Sequence, residues 1–445
     1  MGAGGAVCMA AGFAELGAAG RALQNRLRQA AGDMAVLGPN CMGVINLFDG
    51  VAVWGSDNHM EPLGERGAAL ISQSGAFAYG ITNVERSFPL GYSISTGNQA
   101  VIDAADCIDA VLEDDRVHAI GLYLEGLDNG NRLGAACWRA LQKGVPVVAL
   151  KGGETPAGEA IAVSHTGAMV VETDLWQAFR RRFGIVEVST PKALVEALKF
   201  LTLSGAPRGP RLCAVTYSGG LNGLIAATAP SHGLTLPQPS DEGRAALCAM
   251  MPDTVPVANP LDLNVPFSSS SGISSENGES IAEGIANLAR DVSDMIVFFL
   301  DVPRRDDLAL DAAWLPSLQY LGDVARELDV PCAVAGILPE GLDLQLRQEL
   351  IKAGVTPLLG FADAMEALSV GVQFGQTQVR LAGRTVPCLL DAQPVDAGTR
   401  MLDEAASKAL LASYGLTLPE SRSTTAEDAG QQAATETAGK TGQWP

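Results

Sequence analysis

The sequence predicts an α/β protein built around two consecutive doubly wound, parallel-sheet domains. Three observations carry this. Short apolar runs alternate with helical patterns from Gly67 to about Ser204, and the same alternation restarts after the Gly/Pro-rich loop 204–210. Each series also opens with a strand running into a small-residue turn and then a helix, at Ser72-Gln73-Ser74-Gly75-Ala76 and at Thr216-Tyr217-Ser218-Gly219-Gly220. Strands separated by helices pair in parallel, with helices covering both faces of the sheet.

Taken in order, residues 1–60 read as the closing part of a nucleotide-binding α/β domain. Gly5 to Ala10 suits a buried strand, Leu16 to Ala31 an amphipathic helix, and Ala35-Val36-Leu37 a strand running into Gly38-Pro39-Asn40-Cys41-Met42-Gly43. The usual first strand and glycine turn of such a domain are missing, so the start is expected to be truncated. In residues 61–205 strands are expected at 68–71, 92–95, 117–124, 145–150 and 186–188. The helices between them start at Ala76 or fall near 101–112, 132–142 and 192–203. Residues 206–383 repeat the pattern, with strands at 212–216, 295–300 and 332–334 and helices at 222–231, 315–328, 342–353 and 362–371; the serine-rich piece 267–275 reads as an exposed loop. From 384 to 445 a linker leads to a helix over Asp403–Tyr414, which Gly415 ends with Pro419 beyond, and then to a polar tail.

Composition narrows the function. A formal net charge of −20 with 18% charged residues disfavours non-specific binding to nucleic acid or anionic membranes, so any phosphate must be held by local geometry. The eight cysteines show neither a C-x-x-C pair nor zinc-ligand spacing, which gives reduced thiols and no metal site. No apolar run reaches the roughly 18–20 residues of a membrane span, and no secretory leader is evident. The expected location is the cytoplasm.

Two strand-to-helix turns carry the strongest chemical signal. The amides of Ser74, Gly75 and Ala76, and those of Ser218, Gly219 and Gly220, would lie at helix N-termini, where unsatisfied N–H groups and the helix dipole favour an anion. Each turn alone is also what tight packing demands; the repetition in two matched domains favours phosphate. Neither alternative motif fits: G-x-S-x-G needs glycine where Ser72 stands, and no Walker sequence is present.

His165, one of four histidines, sits in Ala162-Val163-Ser164-His165-Thr166-Gly167-Ala168 after the strand that ends at Lys151. An imidazole among small and hydroxylated residues suits a phosphorylated nucleophile. Glu125 follows the strand 120–124 at the sheet edge where ligands collect, and could hold one imidazole nitrogen while the other attacks; a solvated loop glutamate is the plain alternative. Cys41 lacks a nearby base and reads as packing. Asn259-Pro260-Leu261-Asp262-Leu263 reads as a structural turn that borders the cleft at most.

In this order, Gly38-Pro39-Asn40-Cys41-Met42-Gly43, Ser72-Gln73-Ser74-Gly75, Leu124-Glu125-Gly126, Ser164-His165-Thr166-Gly167 and Ser218-Gly219-Gly220 resemble the NDP-forming acyl-CoA synthetases, the superfamily of succinyl-CoA synthetase and ADP-forming acetate-CoA ligase. The resemblance implies two flavodoxin-like domains, preceded by the end of a Rossmann-like CoA-binding domain and followed by the start of an ATP-grasp domain. It implies an acid-thiol ligase working through an acyl phosphate and a phosphohistidine, with His165 phosphorylated and Glu125 its partner. The two helix ends would grip the phosphoryl group, and Pro39, Asn40 and Cys41 would lie near CoA. CoA, ATP/ADP and Mg2+ are the implied cofactors, with the nucleotide and metal sites outside this chain. The implied partners are a small carboxylic acid or its acyl-CoA, phosphate, an ATP-grasp subunit or domain, and a second copy of the chain. Two other readings stay open: a non-catalytic fragment or module that senses CoA or phosphate, and a flavin or nucleotide carrier, which leaves the His165 loop without a role.

Overall fold

The computed structural model describes residues 2–57, 64–127, 129–152, 173–250, 256–263, 283–290, 292–302, 310–387 and 402–418. Residues up to Leu389 form one compact unit; a second begins at Leu390. Among the described residues the expected α/β architecture with parallel sheets is present.

The chain opens with strand β1 (Gly5–Val7), helix α1 (Ala18–Ala31) and strand β2 (Ala35–Leu37), the two strands pairing in parallel. A hairpin follows, β3 (Gly43–Asn46) and β4 (Val51–Trp54). The sequence reading leaves these residues with the first segment, yet β3 pairs antiparallel with β6, so the next sheet already begins at Gly43.

That sheet has seven strands in the order β4-β3-β6-β5-β7-β8-β9. Its parallel part comprises β5 (Gly67–Ser72), β6 (Leu90–Ser95), β7 (Val117–Leu124), β8 (Val147–Lys151) and β9 (Val186–Glu187). Helices α2 (Gly75–Thr82), α3 (Ala104–Val111), α4 (Gly130–Gln142), α5 (Thr173–Phe183) and α6 (Pro191–Leu203) belong to it. Every residue of β5 is buried, the reason its sequence reads as a continuous apolar run rather than an alternation.

A second sheet, wholly parallel, has the order β11-β10-β12-β13-β14. Its strands are β10 (Leu212–Thr216), β11 (Leu261–Asp262), β12 (Met295–Phe299), β13 (Cys332–Gly336) and β14 (Thr356–Leu359), with helices α7 (Gly219–Thr228), α8 (Asp241–Met250), α9 (Leu310–Leu328), α10 (Leu344–Lys352) and α11 (Phe361–Leu381). Counted from its first parallel strand, the parallel part of each sheet runs second-first-third-fourth-fifth. Each therefore reverses direction beside that strand, between β5 and β7 and between β10 and β12. Such switch points are where open α/β sheets form crevices.

Two boundaries differ from expectation for local reasons. Helix α7 starts at Gly219 rather than Asn222 because Ser218 caps it. Helix α11 runs ten residues past Gly371 because that glycine serves close packing, not termination: a Cβ there would meet Phe200 at 2.9 Å, and one on Gly375 would meet the Pro207 carbonyl oxygen at 2.3 Å. In the second unit, α12 (Glu404–Ser413) is capped by Asp403, whose Oδ1 accepts from the Ala406 N–H at 2.7 Å.

Candidate functional site at the sheet switch points

The two strand-to-helix turns are built alike. Ser72 ends β5, and its hydroxyl accepts from the Ser74 N–H at 3.1 Å; Ser74 Oγ then accepts from the Phe77 N–H at 3.4 Å and caps α2. In the second sheet Thr216 ends β10, its Oγ1 accepts from the Ser218 N–H at 3.1 Å, and Ser218 Oγ accepts from the Leu221 N–H at 3.4 Å to cap α7. Each cap leaves other N–H groups of the first turn unsatisfied within the helix, so both turns can take an anion. Ala76, Gly219 and Gly220 are exposed.

The turns differ in their surroundings. A Cβ on Gly75 would lie 2.8 Å from Met42 Cγ, while the Met42 N–H donates to Ser95 Oγ at 3.0 Å. Met42 therefore packs against the α2 turn. At the other turn a Cβ on Gly219 would lie 3.3 Å from Asp262 Oδ2, which places a carboxylate at the end of β11 beside the α7 dipole. Asn259 earns its structural reading: Oδ1 accepts from the Ala214 N–H at 3.0 Å, and Nδ2 donates to the Leu212 and Pro237 carbonyls at 2.7 and 2.9 Å.

Gly220 offers a clean probe of anion binding, because a Cβ there would meet only Ser218 Oγ, at 3.7 Å. Gly220→Val should leave the fold intact and weaken retention of inorganic phosphate by roughly tenfold by covering the helix end. Equilibrium dialysis with labelled phosphate measures this, and unchanged affinity removes α7 from the anion site.

Glu125 is half-buried one residue beyond β7. Burial and the Glu125 charge together raise the pKa of neighbouring Tyr123. The loop is held by Gln73, the residue before the Ser74 cap. Gln73 Oε1 accepts from the Glu125 and Gly126 N–H groups at 2.5 and 3.0 Å, and Nε2 donates to the Gly126 carbonyl at 3.0 Å. Beside it a polar cavity of about 240 Å3 opens at the switch point, lined in part by Gln73, Gln99, Asp103, Gly126, Asn129 and Arg132. Arg132 is engaged by Asp103 and Asp106 at 2.6 and 2.5 Å.

Pro39, Asn40 and Cys41 are fixed by backbone rather than poised for chemistry. Asn98 N–H donates to the Pro39 carbonyl at 2.9 Å, and Asn40 Nδ2 donates to Asn98 Oδ1 at 3.3 Å. Cys41 is buried, and burial pushes its thiol up to about 11, so it stays protonated at neutral pH and acts as packing. His165 lies outside the described residues. The chain before it is described as far as Gly152, whose N–H donates to the Leu124 carbonyl at 2.8 Å, next to Glu125.

Sequence reasoning passed over Gln73 and Asp301. By strand register Asp301 occupies the place of Glu125 in the second sheet: Ser72 pairs with Tyr123 and Val215 with Phe298. Its Oδ1 accepts from the Ile337 N–H at 2.7 Å and bonds the Leu338 N–H at 3.4 Å, bracing the next loop. Among the described residues no three His, Cys, Asp or Glu side chains converge to hold a metal ion, and no helix is long and apolar enough to cross a membrane.

Residues 65–201 match the family described as succinyl-CoA ligase like flavodoxin domain. The chain is 32% identical over 268 residues to a trans-feruloyl-CoA synthase from an unknown prokaryotic organism, covering 59% of this chain and 38% of that protein. It is 30% identical over 263 residues to the alpha subunit of ADP-forming acetate–CoA ligase II from Pyrococcus furiosus, covering 58% of this chain and 56% of the subunit. The chain thus spans between about a third and just over half of these relatives. In fold it is similar to the dinucleotide forming acetyl-coenzyme A synthetase 1 of Ca. Korarchaeum cryptofilum, with a TM-score of 0.70 at 22% identity over 84% of this chain and 78% of that one. Fold and matched segment define a succinyl-CoA-ligase-like core. Over these segments the chain is similar to ADP-forming CoA ligases and a feruloyl-CoA synthase.

Proposed function

We propose that the chain is the core of an acid-thiol ligase, interconverting an acyl-CoA, phosphate and a nucleoside diphosphate with an acid, CoA and the nucleoside triphosphate through an acyl phosphate and a phosphohistidine on His165. The carrying observation is the duplicated hydroxyl-capped turn: two sheets of the same topology each aim a helix N-terminus from the strand beside the switch point. That geometry suits a doubly charged phosphoryl group, which the dipoles stabilise without a basic residue.

In the acyl-CoA direction, phosphate oxygen attacks the thioester carbonyl and CoA leaves as thiolate, giving the acyl phosphate. A neutral His165 nitrogen then attacks phosphorus, the P–O bond to the acyl carboxylate breaks, and the acid departs. Glu125 accepts a hydrogen bond from the other ring nitrogen and offsets the positive charge that develops on the imidazole. The described end of the β8 strand supports this pairing, since Gly152 is bonded to the strand that delivers Glu125. Pro39 to Cys41 sit where they can line the CoA thiol arm against the α2 turn. When present, the nucleoside diphosphate with its magnesium accepts the phosphoryl group; their site, an ATP-grasp subunit or domain, is assigned outside the described residues. Cytoplasmic location fits these substrates.

The test is labelling of the full chain by radiolabelled ATP with magnesium and an ATP-grasp subunit of a two-subunit relative. Wild type should acquire acid-labile, alkali-stable label and His165→Asn none. Label retained at the wild-type level in His165→Asn would overturn the nucleophile. A wild-type chain that binds CoA or phosphate yet takes no label would favour a sensing module.

A further inference from the structure

We infer that Gln73 is a positioning residue for Glu125, joining the carboxylate's loop to the helix end that grips phosphate. The inference rests on the proposed phosphohistidine chemistry. Gln73 lies between the last residue of β5 and the cap of α2, so its backbone moves with the phosphate turn. Its own N–H donates to the Tyr123 carbonyl at 3.1 Å, and its side chain makes the three bonds to Glu125 and Gly126 given above. One side chain therefore sets the Glu125 backbone relative to the α2 N-terminus.

The chemistry of these bonds requires a primary amide. Two neighbouring N–H groups need an acceptor and the Gly126 carbonyl needs a donor, and only an amide offers both at one planar end. Glutamate would keep the acceptors, lose the donor and bring a charge beside Glu125 and the Gly126 carbonyl. Asparagine is a methylene too short.

The fold itself does not need this bridge. The second sheet has the same strand order, and at the matching place it carries Tyr217, whose ring packs against Phe298 with centroids 5.2 Å apart. There the carboxylate at the matching register, Asp301, braces the following loop directly. The amide bridge is thus specific to the sheet that carries Glu125. A loosened loop would let the Glu125 carboxylate drift from the imidazole, and misplacement by about 1 Å can cost roughly a hundredfold in rate.

The experiment measures the initial rate at which the full chain is labelled by acetyl phosphate carrying radioactive phosphorus. In this step the His165 nitrogen bonds to phosphorus and acetate leaves with the electrons of the broken P–O bond. Wild type is compared with Gln73→Leu, Gln73→Glu, Glu125→Gln and the Gln73→Leu/Glu125→Gln pair, and hydrogen exchange of the peptide containing Gly126 is followed in each. Gln73→Leu and Gln73→Glu should each slow labelling by about ten- to a hundredfold and speed exchange at 125–126. The double variant should be no slower than Glu125→Gln alone, since Gln73 acts through that carboxylate. Gln73→Glu keeps size and shape, so it decides the matter if Gln73→Leu folds poorly. Wild-type labelling in Gln73→Glu, or a loss that adds in full to that of Glu125→Gln, would overturn the positioning role while leaving the phosphohistidine intact. Wild-type labelling in Glu125→Gln would instead overturn Glu125's part in that function, and a wild-type chain that takes no label from acetyl phosphate or from ATP with magnesium and an ATP-grasp subunit would overturn the function itself.

Discussion

Replacing Glu196 by glutamine is expected to lower the unfolding free energy by about 3–5 kcal/mol, the cost typical of breaking a buried ion pair from one side. Glu196 is fully buried on α6 and serves three donors. Oε1 accepts from Arg86 Nε at 2.8 Å, while Oε2 accepts from Lys199 Nζ at 2.8 Å and from the Leu359 N–H at 3.0 Å. Arg86 also donates to the Leu359 carbonyl at 2.6 Å, Lys199 to the Arg86 carbonyl at 2.9 Å, and Arg347 to the Glu85 carbonyl at 2.7 Å. Arg86 follows α2, Leu359 ends β14 and Arg347 lies on α10, so the network joins the two sheets behind the α2 turn. A glutamine would aim its NH2 group at one of these donors and remove the negative charge paired with Lys199. Urea denaturation measures the loss; a change below about 1 kcal/mol would mean water reaches the cluster.

Lys199 gives the same network a pH signature. Burial pushes its amine down to about 8 against the pull of Glu196, and the charges of Arg86 and Arg347 push the same way as burial. Its ordinary value is 10.5, so the unfolded chain holds the proton more firmly than the folded one. Stability contributed at Lys199 is therefore lowest below pH 8 and rises as the pH climbs from about 8 to 10.5. Set against Lys199→Met, in which the other groups titrate alike, wild type should gain stability across that window.

The alternation of strand and helix made both sheets legible, because Ala68-Ala69-Leu70-Ile71 and Leu212-Cys213-Ala214-Val215 are runs that only a doubly covered strand accommodates. The strand-to-helix turns at 72–76 and 216–220 were equally readable as turns, whereas the caps at Ser74 and Ser218, whose bonds span three residues, were not, and the second helix was expected only from Asn222. The 43–54 hairpin was not legible: its strands are four residues each, β4 is largely exposed, and β3 is defined by pairing with β6 far along the chain. Thr356–Leu359 escaped as well, being too short to show a period. In the site, the residue types at Glu125, Gly75 and Gly220 announced themselves, whereas Gln73 did not, because a glutamine between two serines acquires meaning only when register brings Gly126 within its reach.

Gly97→Ala should cost about 2–4 kcal/mol, combining a positive-φ penalty of roughly 1 with an overpacking penalty of about 1–3. Gly97 has φ +53°, and a Cβ there would fall 2.2 Å from the Pro39 carbonyl oxygen and 2.4 Å from that of Asn40. These are backbone atoms that no rotamer change can move aside. The same junction is tied by the Asn98 N–H to Pro39 and by the Ala100 N–H to the Gly38 carbonyl, each at 2.9 Å. Relief must come by shifting the Pro39–Asn40 backbone away from Gly97, in the stretch where CoA is proposed to reach. Gly233→Ala separates the two penalties, because Gly233 has φ +69° with nothing within 4 Å of its Cβ position; it should cost only about 1 kcal/mol and leave CoA binding untouched. Gly97→Ala should instead lose both stability and CoA affinity, read by denaturation and by calorimetric titration with CoA. Equal stability in the two variants would show that the Pro39–Asn40 backbone yields freely, and CoA affinity kept in a destabilised Gly97→Ala chain would place the thiol arm away from this loop.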